Sequence, residues 1–458
     1  MIWNENRENA YCEITPAILA LREQWERENY IDPRLYRAYN VKRGLRDEDG
    51  RGVLTGLTRV AEIQSYTVTE DEHILPADGV LYYRGIDCRE LVKGSEGRGR
   101  FAFEEAAYLL LFGKLPDREQ LDAFCGQLAS YRTLPTNFFR DIIMKAPPQD
   151  LMNTMQRAIL TLYCYDDKAN DVGLDNVLRQ SLQLLSNMPV LAIYAYQAWR
   201  YYTGESLFIH VPQPELSTAE NFLRMLREDR SYTALEARTL DVALVLHADH
   251  GGGNNSTFTN HVVTSSGTDT YSAIAAAMAS LKGPRHGGAN SKVMAMMEDI
   301  KEHVADWRDE EAVGRYLSRI LDREAFDGSG LIYGLGHAVY TRSDPRCEVF
   351  RSYVRHLAAE KGRELDLALY ENVERVGKAL LMERRNKRAI STNIDFYSGL
   401  VYEMLGLPKE LYTPLFAVAR ISGWSAHRME ELSAGGKLIR PRYECVEEKQ
   451  DYIPMESR

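Results

Sequence analysis

ALEARTLDVALVLHADHGGGNNSTFTNHVVTSSGTDTYSAIAAAMASL, residues 234–281, is the stretch on which the architecture turns. Its first fourteen and last twelve residues place apolar side chains three and four apart, the spacing of a helix with a buried face. The same spacing predicts helices over 103–113, 153–165 and 176–202. Strand signals are few. GLTRVAEIQSY (56–66) and GVLYYRGID (79–87), around a loop with Pro76, Asp78 and Gly79, read as a small hairpin. The chain is therefore expected to be mainly α, with a minor β hairpin near its N-terminus.

Working outward, 234–281 is apolar and rich in small residues, 298–323 and 346–388 are strongly charged, and the sequence turns apolar again after Ser398. That order predicts a large helical domain of residues 1–286 plus 399–458, with a smaller, more solvated domain, 287–398, inserted between its parts. The 458 residues are 45% hydrophobic and 27% charged, which excludes a disordered or fibrous chain. A net charge of −10 offers no global attraction to nucleic acid or anionic membrane. Any anionic ligand must be held by local basic residues. Cys12, Cys88, Cys125, Cys164, Cys347 and Cys445 form no CxxC pair, fitting neither a zinc ribbon nor a disulfide framework. The opening residues lack the apolar stretch of a signal peptide, and no apolar run reaches the roughly 18 residues of a membrane span. A soluble cytoplasmic protein is expected.

Four segments carry chemistry. In LHADHGGGNNSTF (246–258) a helix ends near His247, and three glycines follow His250. Glycines there suit exposed backbone N–H groups that hold an anion, or simply a helix end. His247, Asp249 and His250 also have partial zinc-ligand spacing, though no supporting further ligands follow. In SLKGPRHGGAN (280–290), Thr268 or Asp269 caps the helix before it, and Gly283 and Pro284 stop it. His286 then lies in a break, and a helix starting near Asn290 or Ser291 aims its positive end at the ring, disfavouring imidazolium. Its bland reading is a surface histidine in a turn.

In YGLGHAVYTRSDPR (333–346), Gly334 and Gly336 let the backbone approach a ligand beside His337. Arg346, nine positions on, supplies the fork that pairs with a carboxylate. In STNIDFYSGLVYEMLGLP (391–408), Asp395 stands among Ile394, Phe396 and Tyr397, an apolar setting that raises a carboxyl toward general-base strength. Alternatively it caps a helix opening at Ser398 or Gly399. Arg420 interrupts the apolar FAVARISGW and needs a partner there, while Arg440 lies in GKLIRPRY.

With these residues in this order the chain resembles citrate synthases. HADHGGGNNSTF, GPRHGGAN, GLGHAVYTRSDPR and NIDFYSG are each similar to a family block, and FEEAAYLLLFGKLP resembles the family's N-terminal helix. The likeness runs from about residue 55 to 445. It implies a multi-helical fold of large and small domains and a homodimer with substrate in the interdomain cleft. It implies an acyltransferase that condenses acetyl-CoA with oxaloacetate, or propionyl-CoA as a 2-methylcitrate synthase does, with no metal and no tightly bound cofactor. By motif position Asp395 is the base, His286 donates to the enolate oxygen, and His337 polarises the oxaloacetate carbonyl. His250, Arg346 and Arg420 hold oxaloacetate, and Arg440 is supplied across the dimer interface. Three positions depart from the family pattern: Thr392 where proline is common, Arg285 where an apolar residue is frequent, and Thr341 where some members carry an arginine reaching CoA phosphate.

Overall fold

The computed structural model describes residues 12–47, 51–68, 74–97, 100–337, 339–386 and 388–458. Local signals set where its helices begin. Thr233 and Glu236 form a reciprocal capping box, and Asp269 accepts the Ser272 N–H at 2.8 Å. The first and last helices of the deciding stretch start just after these caps.

In chain order the first helices are α1 (Pro16–Glu28), α2 (Pro33–Ala38), α3 (Cys88–Ser95), α4 (Phe103–Phe112), α5 (Arg118–Ser130) and α6 (Leu151–Leu162). Then come α7 (Leu174–Tyr202), α8 (Thr218–Leu226), α9 (Ala234–His247), α10 (Asn255–Ser265), α11 (Thr270–Leu281) and α12 (Ala289–His303). The last are α13 (Glu310–Leu321), α14 (Pro345–Lys361), α15 (Glu364–Arg385), α16 (Asp395–Met404) and α17 (Tyr412–Ser433). The chain is mainly α, as its spacing predicts. No helix among the described residues is long and apolar enough to cross a membrane.

The strands are β1 (Ala61–Val68), β2 (Ile74–Tyr83) and β3 (Ile86–Asp87), antiparallel in the order β1-β2-β3. The hairpin exists, but Pro76, Asp78 and Gly79 lie inside β2 rather than in its loop, which falls at 69–73, outside the described residues. β3 pairs only with Tyr82 and Tyr83, so the missing N–H of Pro76 breaks no bond to it. Gly79 serves close approach instead of a turn: a Cβ there would collide with the Ser343 carbonyl and the Tyr340 ring. The sheet thereby backs the loop that carries His337.

Two further expectations are corrected. The helix expected at 153–165 ends at Leu162 and continues as a 3₁₀ turn. The helix after the aspartate block opens at Asp395 itself, not at Ser398 or Gly399, and Ile394 occupies the cap position. Asp395 is therefore no cap. The reason is local: 391–393 pairs with 334–336 through Gly336 N–H to Ser391 O (2.6 Å) and Asn393 N–H to Gly334 O (3.0 Å), and the chain turns helical as that pairing ends.

At the centre α17 packs on α4, α7, α9, α10 and α11, and nearly every residue from Tyr412 to Arg428 is buried. Gly423 lets it press on the chain after α9, because a Cβ there would strike the Ala248 carbonyl and the Asp249 carboxylate. α16 packs on α12 and α14, and α14 also touches α9 and β2. Those contacts bring the four chemical segments to one place.

Candidate active site

Arg420 projects from the buried middle of α17 and is itself fully buried. Its Nε donates to the His247 carbonyl at 2.7 Å, while Nη1 and Nη2 have no hydrogen-bond partner. Burial pushes its pKa down from 12.5 to about 10, which still leaves a cation at neutral pH. Burying a guanidinium with unmet donors is costly, and Nη1 and Nη2 are donors that a carboxylate could pair with.

Arg346, in the first turn of α14, is also buried, and Asp344 grips it through Nε (3.0 Å) and Nη2 (2.8 Å). Burial would lower its pKa, but the Asp344 carboxylate outweighs that and raises it. Asp344 thus pairs Arg346 directly, whereas Arg420 has, among the described residues, no carboxylate in hydrogen-bond contact, only the Phe416 ring at 4.7 Å and the more distant charges of Asp249 and Asp395.

Three imidazoles face this region, all neutral. His250 lies 5.5 Å from His337, centroid to centroid, and its buried Nε2 has no partner. Burial holds its pKa well below 6.5, with Arg346 and His337 adding to the effect. His337 is pushed down to about 4 by burial and then by Arg346. Its Nδ1 accepts the N–H groups of Val339 and Tyr340, both at 3.0 Å, so the ring proton sits on Nε2. The third, His286, has Nε2 3.1 Å from Ser256 Oγ, and the same oxygen accepts the Trp424 indole N–H at 3.2 Å; with the Ser256 hydroxyl donating to Nε2, the ring proton is on Nδ1. It too is pushed down to about 4. The main cause is burial, then Arg420; the neighbouring Arg285 is exposed and is not among the causes.

Asp395 opens α16 and keeps a partly exposed edge. Its pKa is raised to about 6, chiefly by burial and further by Asp344, against the pull of Arg346 and Arg420. A helix N-terminus favours the ionised carboxylate, so desolvation is the stronger influence here.

The structure brings His250, His286, His337, Arg346, Arg420 and Asp395 into one electrostatic neighbourhood. Arg440 stands apart, exposed on the tail after α17. The residues of the zinc reading turn to different partners: His247 Nε2 meets Tyr402 OH at 3.1 Å, Asp249 meets the Gly251 N–H at 2.7 Å and His427, and His250 faces His337. Because Asp249 takes the Gly251 N–H, that amide is not available to an anion. Among the described residues, no three His, Cys, Asp or Glu side chains cluster as metal ligands would. Sequence reasoning missed Asp344 as the grip on Arg346 and Ser256 as the support of His286. The Asp-Pro step was a signal for the first, since it sets Asp344 at the α14 N-cap beside the arginine.

A helical fold holding an unpaired buried cation, neutral imidazole donors and a carboxylate of raised pKa defines an enzyme built to bind an anion and move a proton beside it. Residues 50–442 match the family model described as citrate synthase, C-terminal domain. The chain is 34% identical over 397 residues to a citrate synthase of Deinococcus radiodurans, covering 86% of this chain and 97% of that one. It is equally 34% identical over 430 residues to 2-methylcitrate synthase 1 of Corynebacterium glutamicum, covering 91% and 98%. Among solved structures, citrate synthase from Pyrobaculum aerophilum has a TM-score of 0.72 at 29% identity, covering 90% of this chain and 95% of that one. The ternary complex of citrate synthase from Thermoplasma acidophilum with carboxymethyl coenzyme A and oxaloacetate has a TM-score of 0.73 at 26% identity, covering 91% and 99%. The chain belongs to the citrate synthase family, a family of acyltransferase-type enzymes.

Proposed function

We propose that the protein condenses acetyl-CoA with oxaloacetate and water to give citrate and CoA. The observation that carries this reading is the buried Arg420, whose unpartnered Nη1 and Nη2 lie within electrostatic reach of neutral His250 and His286 and of Asp395, with His337 beside His250. Oxaloacetate supplies the carboxylates that Arg420 lacks, with Arg346 and His250 holding the rest of the molecule. Asp395 takes a proton from the acyl carbon beside the thioester, and a ring N–H of His286 donates to the enolate oxygen. The enolate carbon then attacks the ketone carbon. His337 Nε2–H polarises the ketone oxygen and gives it the proton, and water hydrolyses the resulting thioester to release CoA. Acetyl-CoA is a cosubstrate, and no tightly bound cofactor has a part in these steps.

The wider reading is a homodimer working in the cytoplasm, in which residues 287–398 close over a cleft in the larger domain and Arg440 of one protomer completes the partner's oxaloacetate site. Exposure of Arg440 within one chain supports that role.

The deciding experiment is thiol release from acetyl-CoA in the presence of oxaloacetate. Rapid release, strictly dependent on oxaloacetate, is expected; none with any short acyl-CoA would reject the reading. A second reading, 2-methylcitrate synthesis from propionyl-CoA, is favoured by the equal identity to a relative bearing that name. One methylene discriminates by only about 1–3 kcal/mol, so comparing kcat/KM for the two thioesters separates the readings.

The pH dependence follows from Asp395. The base must be ionised, so kcat/KM should rise with pH through about 6 and level off above it. His286 and His337 stay neutral throughout, because each titrates near 4. A profile flat from pH 5 to 8 would show that the base is another group.

A further inference from the structure

Glu374 lies on α15, buried, remote in sequence from every block above. Its Oε1 accepts from Thr392 Oγ1 at 2.5 Å and Lys378 Nζ at 2.8 Å. Its Oε2 accepts from Tyr397 OH at 2.6 Å, and Arg351 Nη2, reaching over from α14, lies 2.6 and 2.7 Å from the two oxygens. Thr392 and Tyr397 stand three residues before and two residues after Asp395. One carboxylate therefore holds the chain on both sides of the base. The held segment is the one that pairs with 334–336, just ahead of His337, through the Ser391 and Asn393 backbone bonds and Asn393 Nδ2–H to Gly336 O at 3.1 Å. Thr392 is a departure from the proline common in the family, and here its hydroxyl is put to use.

We infer that Glu374 is a positioning residue for the reaction, fixing the start of α16 so that Asp395 meets the acyl carbon at a set angle. Burial by itself raises the Glu374 pKa, but the donors from Lys378, Thr392 and Tyr397 outweigh it and lower the pKa, so the carboxylate remains an acceptor at both oxygens. Thr392 and Tyr397 are buried, so their hydroxyls have little access to bulk water as an alternative partner, which makes the geometry strict. Misplacing a catalytic group by about 1 Å costs on the order of 10²-fold in rate.

The inference rests on Asp395 acting as base, and the test keeps the two claims apart. Glu374→Gln preserves shape but cannot accept two hydroxyl protons and an ion pair together. Its kcat should fall by about 10²-fold with the acyl-CoA the wild type uses, while KM for oxaloacetate stays within about twofold. Amide hydrogen exchange should quicken across 391–398 and remain unchanged across 246–258. Thr392→Val and Tyr397→Phe should each reproduce part of the loss, and adding both to Glu374→Gln should cost less than the sum of the separate losses, since Gln has already given up at least one of the two hydroxyl bonds. These two variants also carry the test should Glu374→Gln fail to fold. Unchanged kcat, or equal loss of kcat and oxaloacetate binding, overturns the positioning role. Unaltered exchange at 391–398 overturns it even if the wild type proves to catalyse another reaction, a failure the thiol assay would register separately.

Discussion

Asp395→Asn is expected to lower kcat by on the order of 10³-fold while oxaloacetate still binds. Positioned general bases contribute roughly 10²–10⁴-fold, and an amide of the same shape cannot accept the proton. The residues proposed to hold the keto acid are elsewhere: Arg420 on α17, Arg346 on α14 and His250 after α9. Removing a carboxylate whose charge acts on both arginines should leave the oxaloacetate dissociation constant unchanged or tighter. Calorimetric titration beside steady-state rates checks this. Loss of binding in step with rate would show that Asp395 holds substrate.

Arg420→Leu should do the opposite to binding and little to folding. Deleting one member of a buried charge pair costs about 2–5 kcal/mol of binding, so KM for oxaloacetate should rise by roughly 30-fold or more. The free enzyme, by contrast, carries Arg420 at a cost. Its pKa falls from 12.5 to about 10, and at 1.36 kcal/mol per unit that is about 3 kcal/mol against the cation. Leucine removes that cost and gives up the Nε bond to the His247 carbonyl, worth about 1.5–3 kcal/mol, while keeping apolar contact with the Phe416 ring that the guanidinium overlies. Thermal stability should therefore hold or rise while affinity collapses, the trade expected where a site stores strain for its ligand. A KM within threefold of wild type, or a clear loss of stability with affinity intact, would assign Arg420 to the core.

Much of this was legible in the residues because the chemistry is concentrated. Histidines flanked by glycines at 250, 286 and 337, an aspartate among aromatic neighbours, and an arginine inside an apolar helix each break the local pattern of their segment. Helix caps at Asp269 and Thr233 were equally local and fell where the spacing put them. What stayed hidden depends on distance along the chain. Trp424 and Ser256 are 168 positions apart, Tyr397 and Glu374 23, Gly79 and Ser343 264, and no periodicity couples such pairs. Gly79 looked like a turn because glycine serves both turns and close approaches, and only its neighbours decide between them. Asp395 looked able to cap a helix because acidic residues gather at helix starts as caps and as first-turn residues alike.

The account's central claim, that Asp395 removes a proton from the carbon beside the thioester, is tested most directly by solvent exchange without condensation. Acetyl-CoA, or propionyl-CoA should the enzyme prefer it, is incubated in deuterated water with malate, which offers the two carboxylates but no ketone to attack. Deuterium should enter the acyl carbon with wild type and not with Asp395→Asn; incorporation at the wild-type rate in the variant would contradict the claim.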